Sequence, residues 1–243
     1  MTKDLSRPLQ AVIFDCDGIL VDTEPLHYRA FQEVLRPLGM GFDYDHYMDV
    51  YIGFDDRDAF AQAFREKGET LSDSHLARLM EAKHEVLQSI VAQGVSSFPG
   101  VLELIGDLQR HQVPLGVASG ALRSEIEAFT TVLSIRDAFG VIVAADDVAR
   151  SKPDPETYLE AVKRMRALPR LSDLVPSQCL AIEDTPAGIA SAKGAGLYVV
   201  AVTNSFPEEN LGEAHLVLPS LEELTVGRMM EHMEEFARRG SRG

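Results

Sequence analysis

AVIFDCDGILVDTE, residues 11–24, is the stretch on which the fold turns. Four apolar residues, Ala11–Phe14, stop at Asp15, and a second acid follows at Asp17 before Gly18. A short apolar run bounded in this way reads as a buried strand whose far end is polar. The same pattern recurs at Pro114–Ala118, Val141–Ala145, Leu180–Ile182, Tyr198–Val202 and His215–Leu218. Helical periodicity fills most of the intervals, at Val101–Arg110, Arg123–Leu133, Pro155–Arg166 and Ala187–Ala195. Buried-type strands alternating with helices predict an α/β protein, a parallel sheet with helices on both faces. The interval after the first strand differs. From Pro25 to Gly94 only helical patterns occur (27–37, 58–67 and 72–93), far more chain than a crossover needs. Residues 25–94 are therefore expected to form an inserted helical domain, and 1–24 with 95–243 the sheet-bearing core.

Open α/β sheets bind ligands outside the carboxyl ends of their strands. Those ends read Asp15-Cys16-Asp17-Gly18, Ser119-Gly120, Asp146-Asp147 and Glu183-Asp184-Thr185. Two carboxylates about 4 Å apart repel by roughly 4 kcal/mol at an effective dielectric near 20. Glu183 and Asp184 would add to this. Protonation or a hard cation relieves it, and Mg²⁺ suits oxygen ligands and substrate phosphate. The plain alternative is a turn or cap, for which Asp17-Gly18 suffices. Lys152, in Ser151-Lys152-Pro153-Asp154-Pro155-Glu156, precedes an expected helix start with Asp154 as cap and Pro155 in the first turn. Fixed there it is a point charge for a phosphate; left free it is a solvated lysine. Ser119-Gly120 offers a hydroxyl and backbone N–H groups to phosphate oxygens, or is an ordinary strand-ending turn. After Glu183-Asp184 comes a helix of small residues, capped by Asp184 or Thr185 and able to pack closely.

The chain has 243 residues, which fits one large domain or two modest ones. Its 38 acids against 23 Lys and Arg leave a net charge of −15. That excludes a general nucleic-acid binder and a protein drawn to anionic membranes. Two cysteines, Cys16 and Cys179, support neither a disulfide framework nor a multi-ligand zinc site. Met1–Gln10 carries no apolar run of a secretory signal, and no stretch is long enough to span a bilayer, so a cytoplasmic location is expected.

Taken together, Asp15-x-Asp17-Gly18, Ser119, Lys152 and Glu183-Asp184, in order and at ordinary spacings, resemble the haloacid-dehalogenase-like hydrolase superfamily. The likeness lies in its subgroup of β-phosphoglucomutases and small sugar-phosphate or phosphoglycolate phosphatases, and it spans nearly the whole chain. The resemblance implies a Rossmann-like parallel sheet core with an inserted α-helical cap domain. It also implies that Asp15 is the nucleophile forming an aspartyl phosphate and that Asp17 is the general acid and base. Mg²⁺ would be held by Asp15, the backbone carbonyl of Asp17, Asp184 and, directly or through water, Glu183. Ser119, Gly120 and Lys152 would bind the transferring phosphoryl group. The acid at Asp17 sets the chain apart from dehalogenases and phosphonate hydrolases of the superfamily.

A Mg²⁺-dependent phosphatase acting on a small phosphorylated metabolite, a sugar phosphate or similar, is the leading expectation. A β-phosphoglucomutase-like mutase stands behind it, and a non-catalytic phosphometabolite-binding protein is the alternative of another class. Within the insert, His27 is either a residue near the hinge with a functional role or a solvent-facing first-turn residue. Arg57 and Lys83 are cations for a substrate's distal group. Mutase-like caps carry Gly-x-x-Arg, whereas Arg57 follows Gly53 by four. Asp22-Thr23-Glu24 reads as hinge and loop, and the acids at 43, 45, 49, 55, 56 and 58 as a solvated surface. Met229, Met230, Met233 and Phe236 fall at helical spacing and read as the core face of a C-terminal helix, ending in a frayed tail from Arg238. Cys16, between two anions, should be a poor nucleophile. No nucleic-acid or membrane partner is expected, and the chain is taken as a monomer or weak homo-oligomer.

Overall fold

The computed structural model describes residues 8–52 and 54–240. The strands are β1 (Ala11–Phe14), β2 (Leu115–Ala118), β3 (Phe139–Val143), β4 (Cys179–Glu183), β5 (Tyr198–Val202) and β6 (Leu216–Leu218). They form one sheet in the order β3-β2-β1-β4-β5-β6, every neighbour parallel. Every residue of β1, β2, β4 and β5 is buried, which is why these strands are apolar runs, broken only by Glu183 at the end of β4. One face of the sheet, with Ala11, Ile13, Val141 and Val199, packs against Tyr158, Ala161 and Met165 of the helix Glu156–Arg166 and Ile189 and Ala192 of the helix Pro186–Gly194. The strand order reverses at β1, whose neighbours are β2 and β4, so the topological switch point lies beyond Phe14.

The core helices are α5 (Val101–Arg110), α6 (Arg123–Val132), α7 (Glu156–Arg166), α8 (Pro186–Gly194) and α9 (Val226–Gly240). Several ends differ from expectation for local reasons. β3 stops at Val143 because Ala145–Asp147 turns into a 3₁₀ helix, in which the Asp147 carboxylate accepts from Ala144 N at 2.9 Å. Pro155 is the N-cap of α7 rather than part of its first turn, and Asp154 Oδ1 accepts from Glu156 N at 3.0 Å. Thr185 caps α8, its hydroxyl accepting from Gly188 N at 3.0 Å. α9 continues through Gly240, past the expected fray at Arg238; residues 241–243 lie outside the described residues. Met229 and Met233 are buried and Met230 half-buried, but Phe236 is 51% exposed. Its ring instead meets His215 and Tyr198, with centroids 4.5 and 5.5 Å away. No helix among the described residues is long and apolar enough to cross a membrane.

The chain divides into two compact units, one running up to Val21 and resuming at Ser96, the other Asp22–Val95. The expected limits of the insert were 25 and 94. The second unit contains α1 (Glu24–Leu35), a single turn α2 (Tyr44–His46) running into a π-helical turn at Tyr47–Tyr51, α3 (Asp56–Glu66) and α4 (Asp73–Ala92). Phe31, Leu35, Tyr47, Phe60, Phe64 and Leu76 are among the residues of its core. Glu24 is the first residue of α1, with Pro25 in the opening turn, so the helix starts inside the segment expected to be loop. The turn at 44–51 has no sequence period of its own and is held by ring packing, Phe42 on Tyr51 at 4.2 Å. Two of the unit's acids are caps: Asp43 accepts from His46 N and Asp55 from Asp58 N, each at 2.8 Å.

Candidate active site

Asp15 is the first residue beyond β1, and Phe14 pairs with both Val117 and Ile182. That register brings Asp15, Ser119 beyond β2 and Glu183 at the end of β4 to one edge. Asp15 is buried; its Oδ1 accepts from Cys16 N at 2.7 Å and from Lys152 Nζ at 2.9 Å. The same ammonium donates to Glu183 Oε1 at 2.6 Å. Lys152 reaches this position because its loop is braced on both sides. Glu156 accepts from Ala149 N at 3.0 Å, and the Asp154 carbonyl accepts the hydroxyl of Ser191 on α8 at 2.6 Å. Burial opposes the charge on Lys152, but the Asp15 and Glu183 carboxylates outweigh it and hold the ammonium above the ordinary lysine range.

Glu183 is fully buried and Asp184 nearly so. Each offers an oxygen lying, with one from Asp15, within 4.8 Å of the others, a group that could hold a metal ion. Burial first, then the neighbouring acids, push Asp184 up, and burial likewise raises Glu183 to about 7. Asp184 Oδ1 is buried without a hydrogen-bond partner, and the cluster is all oxygen. An unsatisfied carboxyl oxygen among acids fits a hard divalent cation, which would favour the deprotonated form. Two glycines make room for the acids. Gly18 has φ +74°, and a Cβ there would overlap the Asp184 carboxylate; a Cβ at Gly188 would overlap that of Glu183.

Ser119 is buried, its hydroxyl accepting from Ala121 N at 3.1 Å, which leaves its own proton to donate. Gly120 is exposed and faces open space. Asp17 is partly buried in a turn closed by Gly18 N donating to the Val21 carbonyl at 3.1 Å. Cys16 is buried; burial above all, and then Asp17 and Asp15, push its thiol up. Asp146 and Asp147, also at a strand end, serve the framework: Asp147 pairs with Arg123 and with Arg164, and Asp146 accepts from Arg123 N.

In the helical unit, Lys83 is 1% exposed, donates to Asp56 at 2.6 Å and to His27 Nδ1 at 2.7 Å, and lies 5.0 Å from the Phe31 ring centroid. It is a committed cation, not a free one. Burial and then Lys83 lower His27 to about 3, so the ring is neutral and not the solvent-facing residue that one reading allowed. Arg57 is exposed on the first turn of α3 and has no ion pair among the described residues; Gly53 lies outside them.

Three contributors were missed in the sequence. The Tyr158 hydroxyl donates to Glu183 Oε1 at 2.6 Å, yet a tyrosine on the apolar face of a helix reads as core. Ser205 donates to Asp184 Oδ2, and Asn204 Nδ2 to the Gly18 carbonyl at 2.7 Å. The polar run Thr203-Asn204-Ser205 directly after β5 was the available signal.

A parallel sheet of this order, with buried acids and a lysine at its switch point, defines an α/β enzyme core. The family model described as haloacid dehalogenase-like hydrolase matches residues 12–202, and the chain belongs to that family. Protein CbbY of Rhodobacter capsulatus is 34% identical over 204 residues, covering 82% of this chain and 87% of the relative. Validoxylamine A 7′-phosphate phosphatase of Streptomyces hygroscopicus subsp. limoneus is 32% identical over 215 residues, covering 88% and 95%. The crystal structure of a β-phosphoglucomutase from Clostridium difficile matches with a TM-score of 0.78 at 25% identity, covering 94% of this chain and 99% of that one.

Proposed function

We propose that the chain is a Mg²⁺-dependent phosphatase that hydrolyses a small phosphorylated metabolite, a sugar phosphate or similar, through an aspartyl phosphate. The observation that carries this is the bridge of Lys152 between Asp15 and Glu183 beside Asp184, one cation set among three buried acids. Asp15, the Asp17 carbonyl and Asp184 would hold Mg²⁺, with Glu183 as a direct or water-mediated partner. When bound, Mg²⁺ neutralises phosphoryl charge. Lys152 has three N–H donors; two go to Asp15 and Glu183, and the third serves a phosphoryl oxygen. Ser119 Oγ–H and Gly120 N–H bind the others.

The Asp15 carboxylate attacks phosphorus as the ester P–O bond breaks, and Asp17 gives its proton to the departing oxygen. Asp17 then takes a proton from water, whose oxygen attacks phosphorus and frees Asp15 with release of inorganic phosphate. Substrate choice belongs to the helical unit as the family's cap, where Arg57 is the exposed cation and His27 and Lys83 form a neutralised network with Asp56.

Turnover of p-nitrophenyl phosphate with Mg²⁺, lost in EDTA, is expected, together with loss of acid-stable phosphoryl-enzyme in Asp15→Asn. Wild-type turnover in that variant refutes the nucleophile. The likeness to a β-phosphoglucomutase supports a second reading, that of a mutase. Conversion of β-glucose 1-phosphate to glucose 6-phosphate on addition of the bisphosphate decides for it.

A further inference from the structure

Asp184 has one carboxylate oxygen engaged and one not. Oδ2 accepts the Ser205 hydroxyl, while Oδ1 is buried with no partner. Turning the carboxylate would break the Ser205 bond, so the direction of Oδ1 is set by it. The turn after β1 is shaped around this pair: a Cβ at Gly18 would overlap the Asp184 carboxylate and lie 2.9 Å from Ser205 Oγ. Asn204 ties the two segments together through the Gly18 carbonyl. The adjacent acid has both oxygens engaged, Glu183 Oε1 by Lys152 and Tyr158 and Oε2 by the Thr185 hydroxyl at 3.4 Å. Two neighbouring carboxylates are thus given different partners by residues on different elements.

We infer that Ser205 is a positioning residue whose hydroxyl holds Asp184 so that Oδ1 is presented to the cation. The inference rests on the metal site of the proposed function. Partners that orient a ligand carboxylate typically contribute 10–100-fold to metal affinity. Ser205 is partly exposed and provides one bond, so the low end applies.

The test is Mn²⁺ binding to the metal-free protein without substrate, by isothermal titration calorimetry and by the electron paramagnetic resonance signal of free Mn²⁺. Ser205→Ala and Ser205→Val are expected to bind about tenfold more weakly than wild type, and Ser205→Thr within about threefold of it. Thr and Val share a shape and differ in the hydroxyl, so they decide the matter even if the alanine variant does not fold. Wild-type affinity in Ser205→Ala, or equal affinities in the Thr and Val variants, would overturn the positioning role alone. Wild-type protein that bound no Mn²⁺ would overturn the metal site as well.

Discussion

At the residue scale the decisive group is Lys152, and its role is legible in what surrounds it. A single ammonium sits between Asp15 and Glu183, with Asp184 in the same cluster. Removing one partner of a buried ion pair costs about 3–5 kcal/mol, because the remaining charge is left uncompensated. Lys152→Met is therefore expected to lower stability by about that much in EDTA, measured by urea unfolding, and to lose turnover by at least about 100-fold. A urea midpoint equal to wild type would show that the lysine is not the counter-charge of these acids. Asp15, Glu183 and Asp184 could be located in the sequence because each stands at or just beyond the end of an apolar strand, although Asp146 and Asp147 stand in the same way and serve the framework instead. Tyr158 could not, since a phenol earns its place in a helix as bulk and shows its hydrogen bond only when the partner is known. The thiols follow from burial: Cys16 is raised, and Cys179 is pushed up to about 12. Neither should react with Ellman's reagent in the native protein at pH 7.5, and both should in urea; a native thiol titrating within minutes would contradict the packing.

At the scale of elements, α8 and the helix pair α1–α4 make separate demands. The small residues of α8 looked like a means of close packing, and Gly188 shows what packs there: the Glu183 carboxylate. Gly188→Ala is expected to lower stability by about 1–3 kcal/mol despite the better helix propensity of alanine, as an overpacked site does. A stabilised variant would refute the close approach. In the helical unit, Lys83 of α4 reaches His27 of α1. The folded ring, depressed to about 3, stays neutral where the unfolded histidine takes a proton near 6.5. Between these values the unfolded state binds more protons, so this contribution is complete above pH 6.5 and is lost as pH falls toward 3. From pH 6.5 to 4.5 it amounts to roughly 2–3 kcal/mol. The slope of unfolding free energy against pH in that window should be shallower in His27→Gln by about one proton; equal slopes would show the histidine to be solvated. Spacing alone left His27 with two readings because its partner lies in another helix.

At the scale of the molecule, strands and helices were legible locally, whereas strand order was not, since pairing joins distant segments. It is the placement of β4 beside β1 that turns two separate acidic motifs into one site, Phe14 pairing with Ile182. The same placement reconciles a net charge of −15 with the proposed anionic substrate. The acids nearest the proposed phosphate site are buried around a lysine, and their charge is local. Without a cation, Glu183 and Asp184 are raised, so the folded state holds protons that the unfolded state releases. Stability from such groups is present below the unfolded carboxylate range, about 4–4.5, and is lost as pH rises through the folded value, about 7 for Glu183. A divalent cation reverses this, because it binds the deprotonated carboxylates and only in the folded state. The gain in urea midpoint on replacing EDTA with a fixed Mg²⁺ concentration should therefore grow from pH 5.5 to pH 8. The lysine, charged throughout this range, contributes no slope of its own. Equal gains at the two pH values would mean that the cation binds away from this pair, and that the buried acids are compensated by the protein alone.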